Sequence, residues 1–90
     1  MKAFIIDDKQ HCIEALEILL GKYCPEVEIA ETCRDGFCGL EAIRQNPPDL
    51  VFLDIAMPKM NGFDMLNQLE KIGFEIIFTT AYDSFAIKSL

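Results

Sequence analysis

The chain has 90 residues, 51% apolar and 26% charged, with 8 basic against 15 acidic side chains and a formal net charge of −7. That length suits one domain (1–90) with a single core, and the apolar content argues against disorder. The acidic balance opposes binding to a phosphate backbone, so these residues are not expected to meet nucleic acid directly. No apolar run exceeds four residues and no secretory signal opens the sequence, which points to a cytoplasmic protein without a membrane partner.

Taken in order, Ala3-Phe4-Ile5-Ile6 reads as a short strand buried on both faces and ending in two acids, Asp7 and Asp8. A helix follows with Cys12, Leu16, Leu19 and Leu20 on one face and Gly21 near its end, with Asp8 or a neighbour as the cap. Pro25 breaks the chain before Val27-Glu28-Ile29-Ala30, whose alternation fits an edge strand. Cys33 to Asn46 carries Phe37, Leu40 and Ile43 at helical spacing, and Pro47-Pro48 stops that helix. Leu50 to Leu53 is a second apolar strand, and its tip is expected to deliver Asp54 to solvent. Pro58 and Asn61-Gly62 shape the loop beyond it. Asn61 is placed to cap a helix carrying Phe63, Leu66, Leu69 and Ile72, with Gly73 at its end. Ile76-Ile77-Phe78 is a third apolar strand, ending in Thr79-Thr80-Ala81, and Asp83 to Leu90 begins a further helix with Phe85.

Cys12, Cys24, Cys33 and Cys38 include no Cys-x-x-Cys pair, and the single histidine, His11, directly precedes Cys12. Reduced thiols at core and boundary positions are therefore expected, rather than a metal site or a disulfide framework.

Alternating strands and helices predict βαβ units, right-handed crossovers and a doubly wound parallel sheet, with the apolar strands central. In such a sheet, ligands bind beyond the carboxyl ends of the strands, where the strand order reverses. That rule puts Asp7, Asp8, Asp54, Thr79 and Thr80 at one rim. Carboxylates crowded there repel, at roughly 4 kcal/mol per pair for a ~4 Å separation and an effective dielectric of ~20. Either one stays protonated or a cation sits among them. Nothing nearby in sequence supplies a fixed positive partner, and Lys59 in the loop reads as flexible and solvated. Oxygen ligands with positions left for water suit Mg²⁺, and a metal beside a free carboxylate suits phosphoryl transfer to that carboxylate.

At these residues the sequence resembles the receiver domain of bacterial two-component response regulators. The features that match are Ile5-Ile6-Asp7-Asp8, Leu53-Asp54-Ile55 with Met57-Pro58 and Met60-Asn61-Gly62, and Thr80-Ala81. The resemblance implies a flavodoxin-like fold with strand order 2-1-3-4. It implies Asp54 as phosphoacceptor from a sensor histidine kinase, Mg²⁺ held by Asp8, Asp54 and the main-chain carbonyl of Ala56, and Asp7 acting through water. Thr80 then matches the switch hydroxyl, and Ala81 the small residue that gives the phosphoryl group room. Thr80 to Lys88 is further similar to receivers joined to LytTR-type DNA-binding domains, so DNA is expected only through a C-terminal output domain.

The family also has a fifth strand and helix, with a lysine and an aromatic switch residue. These would lie beyond Leu90, and neither Lys59 nor Lys88 matches that lysine. The expectation is a receiver incomplete at its C-terminus, whose fourth strand is a bare edge able to associate with another copy. Two other readings remain. A phosphohydrolase of the haloacid dehalogenase kind also uses a strand-end Asp but usually needs a second one two residues on, where Ala56 stands. A pseudo-receiver would keep the fold as an interaction module without phosphoryl transfer.

Overall fold

Strands with no polar residue have to bury both faces, and this requirement organises the molecule. The computed structural model describes residues 1–79. It contains β1 (Lys2–Ile6), α1 (Gln10–Tyr23), β2 (Glu28–Cys33), α2 (Gly36–Gln45), β3 (Leu50–Leu53), α3 (Gly62–Asn67) and β4 (Glu75–Phe78). All pairings are parallel, in the order β2-β1-β3-β4. This is the doubly wound receiver topology read from the sequence. Of the three apolar strands, β1 and β3 are central and the alternating β2 lies at an edge, whereas β4, expected to be central, forms the other edge among the described residues and is only half-buried.

Because strand side chains alternate, each central strand feeds two cores. Ala3 and Ile5 of β1 and Leu50 and Phe52 of β3 pack with Ile13 and Leu20 of α1. Phe4, Ile6, Val51 and Leu53 face the other way, against Leu40 and Ile43 of α2 and Met65 of α3. Right-handed crossovers require this arrangement: α1 leads outward to β2, while α2 and α3 lead back across the sheet, so they cover the opposite face. Every central-strand side chain except Lys2 is thereby buried, each Val, Leu, Ile or Phe worth about 1.5–3 kcal/mol.

Several local expectations shift. The cap of α1 is Lys9, the neighbour of Asp8, and it makes no side-chain cap hydrogen bond. Ile13, not Cys12 or Leu19, anchors that helix, and Leu19 is exposed. β2 runs from Glu28 to Cys33 instead of Val27 to Ala30, so Cys33 ends a strand rather than opening α2, and Phe37 faces solvent. Asn61 does cap α3: its Oδ1 accepts the Asp64 N–H at 2.8 Å, and Asp64 Oδ2 accepts the Asn61 N–H at 3.2 Å. The helix nevertheless stops at Asn67, well before Gly73. Leu69 packs on the core from the segment beyond, so its apolar spacing reflects covering chain rather than helix. Phe63 is 42% exposed and rests on Phe78 of β4, with ring centroids 5.5 Å apart. The helix expected from Asp83 lies outside the described residues. No helix among the described residues is long and apolar enough to cross a membrane.

Candidate functional site

The parallel register aligns the strand ends: Ile6 lies opposite both Cys33 and Leu53, and Leu53 opposite Phe78. The ladder runs one residue further. Asp7 donates its N–H to the Cys33 carbonyl at 3.0 Å, Asp54 to Ile6 at 2.9 Å, and Thr79 to Leu53 at 2.9 Å. Main-chain pairing thus holds Asp7, Asp54 and Thr79 on one rim. The chain leaves β1 for β2 on one side while β3 lies on the other, so Asp7, Asp8 and Asp54 sit where the strand order reverses.

One oxygen from each of Asp7, Asp8 and Asp54 falls within 4.8 Å of the others. Asp54 is 1% and Asp7 4% exposed, which corrects the expectation that the strand tip delivers Asp54 to solvent. Its neighbours close over it. The Ala56 N–H reaches Asp54 Oδ1 at 3.2 Å and fixes the carboxylate plane. The loop folds back so that the Gly62 N–H donates to the Ile55 carbonyl at 2.9 Å. A Cβ on Gly62 would stand 2.8 Å from the Asp54 carbonyl oxygen, so glycine is what permits that closure.

The acids do have a fixed positive partner, contrary to the expectation from the sequence. Lys9, adjacent to the acids, places its Nζ 2.9 Å from Asp54 Oδ2, 3.0 Å from Asp8 Oδ1 and 3.4 Å from Asp7 Oδ1. Its own N–H donates to Asp7 Oδ1 at 2.9 Å. Lys59 is exposed, in the left-handed backbone region at φ 69°, and is not the partner. Lys9 is held above lysine's ordinary range chiefly by the hydrogen bond to Asp54, against its partial burial. Burial pushes the Asp7 carboxyl above the usual carboxylate range; the Lys9 N–H opposes this and the charge on Asp54 adds to it. At Asp8 burial also works upward, but hydrogen bonding and charge from Lys9 outweigh it and the carboxyl lies low. Arg34 Nη2 approaches the Asp8 carbonyl at 3.2 Å.

An ammonium shared by three carboxylates marks a position that favours a cation. The donors are all oxygen, two of them buried, which suits a hard divalent ion such as Mg²⁺. The residues present therefore fit the metal expected from the sequence. Thr79 Oγ1 is buried at the same rim without a hydrogen-bond partner among the described residues. Thr80 and Ala81 lie outside those residues. A roomier groove of about 430 Å³, lined by Ile43, Pro47, Leu69 and Phe74 among others, lies away from the rim. It has no carboxylate cluster, so size does not locate the chemistry here.

Comparison with known proteins agrees with this geometry. The chain belongs to the response regulator receiver domain family, which it matches over residues 3–89. Receiver domains are signalling modules of two-component systems and bind Mg²⁺ at an acidic cluster. An uncharacterized response regulatory protein of Vibrio cholerae is 38% identical over 97% of the chain, which covers 34% of that protein. The transcriptional regulatory protein BtsR of Escherichia coli K12 is 34% identical over 99% of the chain, covering 37% of that protein. The chain thus spans little more than a third of the length of these relatives. The response regulatory domain of mrkE from Klebsiella pneumoniae superposes with a TM-score of 0.84 at 26% identity, over 99% of this chain and 74% of that one. A chain of the CheX–CheY–BeF₃–Mg²⁺ complex from Borrelia burgdorferi gives 0.81 at 25% identity, over 97% and 66%.

Proposed function

We propose that this chain is the phosphoacceptor module of a two-component system, with Asp54 accepting a phosphoryl group from a phosphohistidine on a sensor kinase. The observation that carries the reading is the convergence of Asp7, Asp8 and Asp54 at the β1–β3 switch point around one cationic group. The CheX–CheY complex holding BeF₃ and Mg²⁺ supports the same chemistry by likeness.

Asp8, Asp54 and the Ala56 carbonyl would hold Mg²⁺ directly, and Asp7 through water. Bound there, the metal would offset negative charge on the phosphoryl oxygens. The chain's own residues do the rest. The Ala56 N–H keeps Asp54 Oδ1 in place, leaving Oδ2, now on Lys9, to attack phosphorus once that ammonium withdraws. The kinase imidazole leaves, and an aspartyl phosphate remains. Thr80 would then donate its hydroxyl to the phosphoryl group, with Ala81 leaving space, and bias a two-state element toward its active form. The output would be a DNA-binding domain C-terminal to these residues.

A small acyl-phosphate donor with Mg²⁺, followed by intact mass, tests the reading. A lasting gain of about 80 Da, one phosphoryl group, supports an acceptor. Rapid donor turnover would indicate a phosphohydrolase, and no reaction a pseudo-receiver. Association along β4, where Ile77 is 47% exposed, completes the proposal. Light scattering on wild type and Ile77→Lys tests it, and equal masses would remove it.

A further inference from the structure

Beside the acid cluster, two sulfurs meet. Cys33 closes β2 and is 1% exposed, while Cys38 lies in the first turn of α2 with its side chain at the surface. Their Sγ atoms are 2.7 Å apart, roughly 0.7 Å beyond the ~2.05 Å of an S–S bond. The backbone on both sides is held. The Cys33 carbonyl accepts the Asp7 N–H at 3.0 Å, and Asp35 Oδ1 accepts the Cys38 N–H at 2.7 Å. Closing the gap therefore asks for side-chain rotation, with the strand-to-helix turn left in place. Cys12 and Cys24 have no sulfur partner among the described residues.

We propose that Cys33 and Cys38 are a reversible dithiol–disulfide pair, a site of oxidative modification by hydrogen peroxide or a small-molecule disulfide. With peroxide, the exposed Cys38 sulfur attacks one oxygen and the O–O bond breaks, giving a sulfenic acid and water. The Cys33 sulfur then attacks the Cys38 sulfur, the S–S bond forms and the S–O bond breaks. The Cys33 proton departs with the hydroxyl as a second water. Two thiols have lost two electrons and two protons, and one peroxide has become two waters. With a small disulfide, the same pair closes through a mixed disulfide on Cys38 and releases two small thiols. Cys33 is buried and Cys38 exposed, which leaves the Cys38 sulfur to meet the oxidant first. Close pairs of this kind in reducing compartments act as redox sensors more often than as structural staples. The pair also adjoins the rim: Cys33 holds the Asp7 N–H, and Arg34, the next residue, reaches the Asp8 carbonyl.

The test treats the chain with peroxide, quenches with acid, alkylates in denaturant with N-ethylmaleimide and maps peptides. Two of the four cysteines should escape alkylation, with the 33–38 peptide linked internally and about 2 Da lighter through loss of two hydrogens. Dithiothreitol should restore alkylation at all four. Cys38→Ser, at an exposed position that does not threaten folding, should abolish the internal link. Four alkylated thiols after oxidation would overturn the proposal. So would a bridge to Cys12 or Cys24 in wild type, or a protected Cys33 in Cys38→Ser.

Discussion

Replacing Lys9 by Met keeps the alkyl stem and removes the ammonium that three carboxylates share. The oxygens of the cluster lie within 4.8 Å of one another. At an effective dielectric of ~20 each exposed like pair would then cost about 3.5 kcal/mol. Solvent reduces this. The Lys9 side chain is 38% and that of Asp8 28% exposed, whereas those of Asp7 and Asp54 are 6% and 2%. Breaking a fully buried pair costs about 3–5 kcal/mol and a surface pair below ~1. An intermediate loss of about 2 kcal/mol is predicted in EDTA, a fall in melting temperature of roughly 8–16 °C for a domain of this size. Metal binding should move the opposite way, since Mg²⁺ no longer has to displace an ammonium and meets one more uncompensated charge. A tenfold or greater gain in affinity is expected, about 1.4 kcal/mol or more. Thermal melts in EDTA and in saturating Mg²⁺, with titration calorimetry, measure both. Unchanged stability together with unchanged affinity would show that Lys9 does not occupy the cluster in solution.

Asp8→Ala should weaken Mg²⁺ binding more than Asp7→Ala by calorimetry, because Asp8 is assigned as a direct ligand and Asp7 as one acting through water; equal losses would contradict that division. Asp7→Asn should stabilise the metal-free protein at pH 7. The raised carboxyl of Asp7 penalises the fold above its folded pKa, and the penalty disappears as pH falls toward the unfolded value of about 3.9. Urea unfolding should therefore show the gain at pH 7 and none below about pH 4; a wild type more stable than the variant at pH 7 would reverse the sign. Thr80→Ala should leave phosphorylation intact but blunt the change in amide exchange on phosphorylation, and an undiminished response would remove Thr80 from the switch.

Much of this molecule was legible because its strands are written as uninterrupted apolar runs. Ala3–Ile6 and Leu50–Leu53 have to be covered on both faces, and strand–helix alternation leaves few topologies that do so. The acids that end those runs then fall on one rim by the register alone. What resisted reading depends on side-chain reach. Lys9 is adjacent to Asp8, yet its main target, Asp54, is 45 residues away, so only the folded sheet brings them together. A basic residue directly after paired strand-end acids was the available signal. Cys33 and Cys38 escaped because their spacing matches no thiol motif; they meet because a strand end and a helix start enclose a short turn. Phe63 and Met65 show the limit of helical periodicity in a helix as short as α3. The buried anchor is Met65, while the larger Phe63 stays at the surface.

The most direct measurement of the central claim is the location of the phosphoryl group. Wild type and Asp54→Asn are incubated with an acyl-phosphate donor in Mg²⁺ or in EDTA, and the peptides are mapped after hydroxylamine trapping of acyl phosphates. The account predicts a hydroxamate at Asp54 in wild type with Mg²⁺, and none in EDTA or in Asp54→Asn. Trapping at another residue, or an equal yield from Asp54→Asn, would contradict it.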